Sequence, residues 1–207
     1  MLVCTSVFAQ IDVEELKIRA EAGDKSATRQ LAETYYLGRN GVEQNFSEAV
    51  RWYLKLAQQG DVRAQTTVGL MYLRGYGVPR DPVAAHHWWS FAAAANDPGA
   101  QYDLGTLYLL GEGVQQDYAQ AARWYQQAAQ RGHLQAQHDL GMLYYQGRGI
   151  ERDVRSAYYW LKVAALQGDE KAEEHLKLVG SDLNADEIRQ AEVRAEEWMK
   201  KLKKSLK

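Results

Sequence analysis

Apolar and small residues recur along the chain with the spacing of amphipathic helices. In the stretch DVRAQTTVGLMYLRG, Ala64, Val68 and Tyr72 follow one another at intervals of four residues, which places them on one face of a helix. Asp61 is a suitable N-cap for this helix, and Gly75 is suited to end it in the left-handed conformation. The pattern therefore predicts a helix between these two residues.

A second helix is predicted after the loop GYGVPRD. Asp81 is expected to cap it, and Pro82 fits its first turn, where the missing N–H costs no hydrogen bond. At the equivalent place in the preceding stretch, Asn45 and Glu48 form the pair expected of a capping box. The local signals thus predict a helix-turn-helix unit.

This unit recurs with a period of 36 residues. The loop GYGVPRD at 75–81 returns as GEGVQQD at 111–117 and GRGIERD at 147–153, and a looser copy with one inserted residue, GRNGVEQN, occupies 38–45. A Gly-x-Gly loop can begin a phosphate-binding motif, but such a motif follows a strand and contains a third glycine. Here the loop follows a predicted helix, so its glycines are expected to serve the turn between two helices.

Columns of tryptophan and glycine keep the same register. The tryptophans at matching positions are Trp52, Trp88, Trp124 and Trp160, and the glycines inside the predicted first helices are Gly69, Gly105 and Gly141. Each internal glycine costs about 1 kcal/mol of helix stability relative to alanine. We therefore expect a neighbouring helix to approach closely at the glycines, with the tryptophans filling the core between these points.

The combined pattern, A-x3-L-G-x2-Y-x2-G-x-G-V-x2-D-x3-A-x2-W-x3-A-A, resembles the Sel-one-like repeat, a subclass of the tetratricopeptide-like αα-repeats. The resemblance implies an all-α fold, a right-handed αα-solenoid of helix-turn-helix repeats. Residues 24–180 are expected to hold four full repeats and a fifth first helix, the full repeats being 24–60, 61–96, 97–132 and 133–168. Capping helices are predicted at 10–23 and 181–207, because the terminal repeats of a solenoid must cover its core.

Charge and hydropathy argue against two classes of partner. The chain has 25 basic and 27 acidic residues, a net charge of −2, whereas a general nucleic-acid binder needs a strong basic excess. No apolar run approaches the length of a membrane-spanning helix. We therefore predict neither a nucleic-acid partner nor membrane insertion.

The N-terminal residues 1–9 are apolar and end in Val-Phe-Ala, the small-residue pattern of a signal-peptidase site. They have no basic residues before the apolar stretch, so they fit either a truncated signal peptide or an ordinary chain end. The first alternative predicts a periplasmic or secreted protein, and the second a cytoplasmic one. Cys4, the sole cysteine, lies in this segment, so a chain that lost it would have neither disulfides nor thiolate metal sites.

Catalytic and metal-binding patterns are missing from the sequence. His86 and His87 are adjacent and point to different sides of a helix, while His133 and His138 are five residues apart, the wrong spacing for two ligands on one helical face. No H-E-x-x-H, S-x-x-K or G-x-S-x-G motif occurs. We therefore predict no catalytic residue, no metal and no cofactor.

A partner-binding surface is predicted on the first helices, which by resemblance to tetratricopeptide repeats line a concave face. Taking the glycine column as reference, the positions three before, one after and four after it form one stripe. These positions are Arg29, Glu33, Tyr36, Thr66, Leu70, Leu73, Tyr102, Thr106, Leu109, His138, Met142 and Tyr145. The last residue of each set could instead pack against the neighbouring repeat.

The sequence thus predicts a non-enzymatic scaffold or adaptor that binds a protein or peptide along this stripe, and it specifies no oligomeric state. One alternative is a bacterial immunity protein that neutralises a toxin. Another is a β-lactam-hydrolysing enzyme, as claimed for cysteine-rich relatives of the repeat. The second alternative is disfavoured, because this chain lacks both their cysteines and a serine–lysine motif.

Overall fold

The computed structural model describes residues 12–205, which fold into helices with no strand among them. The helices are α1 (Val13–Glu21), α2 (Lys25–Leu37), α3 (Phe46–Gln58), α4 (Val62–Arg74), α5 (Pro82–Ala94), α6 (Pro98–Leu110), α7 (Tyr118–Gln130), α8 (Leu134–Gln146), α9 (Val154–Ala165), α10 (Glu170–Gly180) and α11 (Ala185–Ser205). The candidate signal-peptide remnant at residues 1–9, with Cys4, lies outside the described residues.

The chain divides into two compact units, Met1–Phe91 and Ala92–Lys207. In the first unit α1 packs on α2, α2 on α3 and α3 on α4, around a core that includes Leu31, Trp52 and Val68. In the second unit each helix from α6 to α9 packs on the next, and α9 also contacts α10 and α11. The predicted fold class is confirmed: the protein is an all-α solenoid built from helix-turn-helix repeats.

The helix ends lie where the sequence signals placed them. The Asp61 carboxylate accepts a hydrogen bond from the Ala64 N–H at 2.9 Å, and that of Asp81 accepts from the second and third residues of α5 at 3.0 Å. Gly75 ends α4 with a φ of 73°, and Asn96 follows α5 with a φ of 66°. Local capping chemistry therefore fixes the boundaries of each repeat.

The capping box predicted at the start of α3 is half wrong. The Asn45 side chain accepts from the Glu48 N–H at 3.1 Å, as expected of an N-cap. The Asn45 N–H, however, donates to the Tyr35 carbonyl at 2.8 Å rather than to the Glu48 side chain. The loop folds back on α2, so the preceding helix takes the donor that a capping box would have used.

In two of the loops the second glycine is required for close approach as well as for its positive φ. Gly77 has a φ of 73°, and a Cβ added there would overlap the Phe46 carbonyl at the start of α3. Gly149 has a φ of 71°, and a Cβ there would overlap the Tyr118 carbonyl at the start of α7. These two loops thus pack directly against the second helix of the preceding repeat.

The glycines inside the first helices are contacted by the residue that follows each tryptophan position. Gly69 faces Trp89, Gly105 faces Tyr125, and Gly141 faces Leu161. A Cβ on Gly105 would lie 2.5 Å from a ring carbon of Tyr125. The close approach predicted at these glycines is therefore present.

The prediction that the tryptophan column fills this core holds only in part. Trp52 and Trp160 are buried, whereas Trp88 and Trp124 stay partly exposed, although Trp88 packs against the core of the first unit. One residue turns a helix by about 100°, so the position after the tryptophan is the one that points at the glycine. In α5 this position is Trp89, which is 1% exposed and donates its indole N–H to the Thr66 carbonyl at 3.0 Å.

A column of buried glutamines also joins the helices. Gln65, Gln101 and Gln137 donate their side-chain amides to the carbonyls of Ala57, Ala93 and Ala129 at 3.1–3.2 Å. Each acceptor lies near the C-terminal end of a second helix. Its carbonyl also accepts a hydrogen bond from the backbone N–H three residues later, so the glutamine amide uses the second lone pair of the oxygen. The glutamines thus tie each first helix to the end of the helix before it.

Replacing Gly69 by alanine is expected to destabilise the protein by about 1–3 kcal/mol, as measured by urea unfolding. The added methyl group would overlap the Trp89 ring, and this overpacking outweighs the gain in helix propensity of about 1 kcal/mol. The double variant Gly69→Ala/Trp89→Tyr reproduces the Ala32 and Tyr53 that stand at these positions in the first repeat, so it should recover part of the loss. An unchanged unfolding midpoint for Gly69→Ala would contradict the close contact.

Candidate functional site

In the first unit, the predicted partner-binding residues lie on α2 and α4. Arg29, Glu33 and Leu70 are exposed, and Tyr36, Thr66 and Leu73 are partly buried. Several of them also have structural contacts. The Arg29 guanidinium forms an ion pair with the N-cap carboxylate of α4, Asp61, and the Tyr36 ring packs edge-on to Phe46 with centroids 5.3 Å apart.

In the second unit, Tyr102 and His138 converge on a cleft of about 520 Å³ between α6, α8 and α10. Asp139 of α8 and the first residues of α10 complete its polar lining, and Leu134 adds an apolar patch. The other predicted residues, Thr106, Leu109, Met142 and Tyr145, lie further along α6 and α8 and are partly buried. The last residue of each predicted set could pack between repeats. Three of these residues, Tyr36, Leu109 and Tyr145, pack against the core of their unit. All four, including Leu73, are partly buried and keep some exposed surface.

Tyr102 is held in the cleft from both sides. Its ring stacks on Tyr125, with centroids 5.3 Å apart, and on His133, with centroids 4.6 Å apart. Its hydroxyl donates to the Asp139 carboxylate at 3.1 Å. Burial raises the pKa of Tyr102, and the Asp139 charge acts in the same direction. The phenol therefore remains a hydrogen-bond donor at neutral pH.

Asp139 is a partly buried carboxylate with incomplete compensation for its charge. Burial raises its pKa above the ordinary value for aspartate, and the nearby Asp169 carboxylate acts in the same direction. The Tyr102 hydrogen bond and the charges of His138 and Lys171 oppose this shift without cancelling it. The cleft therefore favours a further positive charge close to Asp139.

His138 and His175 form a hydrogen-bonded pair across α8 and α10. The Nε2 atom of His138 lies 2.8 Å from the Nδ1 atom of His175, and its Nδ1 atom lies 3.2 Å from the Asp169 carboxylate. The tautomer of each ring sets which nitrogen donates in these two contacts. The contacts orient the His138 ring at the edge of the cleft.

Sequence reasoning found Tyr102 and His138 but missed Asp139, Asp169, Lys171 and His175. A signal was present in the sequence, because Tyr102 is 37 residues before Asp139 and His138 is 37 residues before His175. In each pair, a predicted partner-binding residue contacts the residue 37 positions later, on the first helix of the next repeat. Searching the stripe at that offset would have found both partners.

Within 12–205, no group of three or more His, Cys, Asp or Glu side chains is arranged to hold a metal ion. In the same part of the chain, none of the helices combines the length and the apolar character needed to cross a membrane.

The fold and the cleft on its first helices define an αα-repeat protein. The family model of the Sel1 repeat matches residues 25–61, 62–97, 98–133 and 134–169. The chain therefore belongs to the Sel1 repeat family.

Solved structures and a curated relative support this assignment. A protective antigen of uropathogenic Escherichia coli strains, which displays an SLR fold, is 34% identical with a TM-score of 0.81, over 92% of this chain and 41% of that one. A Sel1 repeat protein of Oxalobacter formigenes is 36% identical with a TM-score of 0.72, over 81% of this chain and 48% of that one. HRD3A of Arabidopsis thaliana, an ERAD-associated E3 ubiquitin-protein ligase component, is 33% identical over 66 residues, which are 32% of this chain and 10% of HRD3A. The chain spans less than half the length of each.

Asp139→Asn is expected to raise the melting temperature at pH 7 by roughly 2–4 °C. The pKa of Asp139 is higher in the folded than in the unfolded protein, so stability falls as pH rises through the interval between the two values. The asparagine carries no charge to desolvate, and its amide oxygen can still accept from Tyr102. The gain in melting temperature should shrink at a pH below both pKa values, where the aspartate is protonated in the folded and in the unfolded protein.

Thermal unfolding followed by circular dichroism at pH 7 and at pH 3.5 measures this effect. Glu151→Gln, an exposed acid in a loop of the same unit, is the matched control and should change little at either pH. A melting temperature lowered by Asp139→Asn at pH 7 would show that the carboxylate is compensated in the folded protein.

Proposed function

We propose that this protein is a non-enzymatic scaffold that binds a protein or peptide through its first helices, and that the cleft of the second unit holds a basic group of that partner. The Sel1 repeats give the chain the architecture of a repeat protein with a protein-binding role. The finer assignment rests on the cleft between α6, α8 and α10.

The charge balance of the cleft is the observation that carries the proposal. Asp139, Asp169 and Glu170 line it together with a single lysine, Lys171. Burial raises the pKa of Asp139 even though Tyr102 donates to it. A lysine or arginine of a partner would place a positive charge beside this carboxylate, where partial burial makes the attraction stronger than in bulk water.

The size and lining of the cleft suit one long basic side chain. Its volume of about 520 Å³ falls within the range typical of ligand pockets, about 300–1,000 Å³. Leu134 supplies apolar surface in the cleft, along which the methylene stem of such a side chain can lie. Arginine fits best, because its planar guanidinium can donate two hydrogen bonds to one carboxylate.

The adaptor role is supported by the kind of protein that carries related repeats. HRD3A, which matches about a third of this chain, is a component of a ubiquitin-ligase assembly. A scaffold that holds a peptide segment at a polar cleft would serve an assembly in the same general way.

Selection of 12-residue peptides from a random display library on the full chain tests the proposal. We expect the selected peptides to share an arginine or lysine. For one such peptide, calorimetry should show at least about tenfold weaker binding to Asp139→Asn, the loss expected when a partly buried charge pair loses one partner. Replacing the basic residue of the peptide by norleucine should cost a similar factor, and the two losses should not add.

Glu151→Gln should bind the selected peptide with unchanged affinity. Because Asp139→Asn is expected to be at least as stable as the parent protein, weaker binding by that variant cannot be ascribed to unfolding. Selected peptides without a shared basic residue, or affinity that does not respond to Asp139→Asn, would overturn the proposal.

A further inference from the structure

The solvent-facing surface of α5 is apolar. Val83 is 61% exposed and Phe91 is 50% exposed, and His87, one turn from each, is exposed between them. The His87 and Phe91 rings pack edge-to-face with centroids 4.8 Å apart. No Asp, Glu, Lys or Arg occurs from Pro82 to Ala94. Val83, His87 and Phe91 together are termed the α5 stripe.

The repeat itself does not require this apolar surface. One period earlier the same three positions of α3 are occupied by Ser47, Arg51 and Lys55, and one period later those of α7 are occupied by Ala119, Arg123 and Gln127. Those side chains are small or polar, as suits a surface in contact with water. Exposed apolar side chains on successive turns of a helix indicate a surface that another molecule covers.

The equivalent face of α9 shows what can cover it, because there α11 is packed against it. Two periods after the α5 stripe, the positions are occupied by Arg155, Tyr159 and Val163. Arg155 forms a 2.6 Å ion pair with Glu187 of α11, and the guanidinium of Arg194 lies 4.9 Å from the centre of the Tyr159 ring. Val163 is fully buried. This face of a second helix in the repeat therefore accepts an amphipathic helix.

The area of the α5 stripe fits one helix rather than a second folded copy. Two half-exposed apolar side chains and one imidazole offer on the order of 300 Å². A specific interface between two folded proteins usually buries about 800 Å² on each side. A single amphipathic helix docks through a few side chains spaced along one of its faces, which suits a stripe of three residues.

The charges of the α9–α11 contact specify how the helix on α5 must differ from α11. Glu187 and Glu192 of α11 pair with Arg155 and Lys162 of α9. The equivalents of these two basic residues on α5 are Val83 and Ser90, which offer an acid no cation. A carboxylate packed there would lose water without gaining a partner, so the helix that fits α5 carries neutral residues at both positions.

We propose that the α5 stripe docks one amphipathic helix of a partner protein, seated as α11 is seated on α9 but apolar where α11 carries Glu187 and Glu192. The stripe shares no residue with the cleft of the second unit. The proposal therefore stands independently of the function assigned to that cleft.

A synthetic peptide of residues 184–205 carrying Glu187→Leu and Glu192→Ala is the probe, labelled with fluorescein and titrated with the full chain. We expect fluorescence anisotropy to show at least fivefold tighter binding than for the unmodified 184–205 peptide. A peptide of the same composition in scrambled order should not bind.

The variant Val83→Ser/His87→Arg/Phe91→Lys places on α5 the residues that α3 carries at the same positions. Because α3 is helical with those residues, the variant should fold, and circular dichroism checks that it does. We expect it to bind the substituted peptide at least tenfold more weakly. Arg123→Ala, at the same column of α7, and Tyr159→Ala, on the face of α9 that α11 covers, should leave the affinity unchanged.

Equal binding of the probe to the parent and the triple variant would overturn the proposal, as would the absence of binding to either. A loss of binding on Tyr159→Ala would show that the peptide displaces α11 from α9, which also overturns it. Sedimentation of the unliganded chain as a dimer that the triple variant dissociates would assign the stripe to a second copy instead.

Discussion

The close contact between the two helices of each repeat is the constraint on which the rest of the structure depends. At Gly105 the absence of a side chain lets the Tyr125 ring of α7 lie against the backbone of α6. The same ring then supports Tyr102, which stacks on it at 5.3 Å, and Tyr102 in turn donates to Asp139. The packing that joins two helices thus also positions the polar side chains of the cleft.

Much of the fold could be predicted from the sequence because its signals are local. Aspartate N-caps, left-handed glycines and a 36-residue period together define where each helix begins and ends. What the period could not decide is which of two adjacent columns faces the glycines. Trp124 and Tyr125 both belong to columns of large, mostly aromatic side chains, and they differ by a rotation of about 100°. Which of them faces Gly105 is set by how α6 and α7 pack, and that is tertiary information.

The candidate site was predictable only in part for a related reason. Tyr102 and His138 follow from the spacing on a single helix, which sequence shows directly. Their partners, Asp139 and His175, lie on the next first helix, 37 residues on in each case. The extra residue beyond the period reflects the stagger between consecutive first helices. A repeat period alone carries no information about that stagger, so the acidic residues of the cleft could not be predicted from it.

Both proposed surfaces hold side chains whose surroundings cost stability. Burial of the Asp139 carboxylate is unfavourable in the folded protein, although the preceding repeat also carries an aspartate, Asp103, at that position. What sets the cleft apart is therefore the surroundings of this carboxylate rather than its place in the repeat. Phe91, in contrast, is half exposed where α3 and α7 carry Lys55 and Gln127. A departure that exposes an apolar ring without improving the packing is more simply explained by selection for binding than by selection for folding.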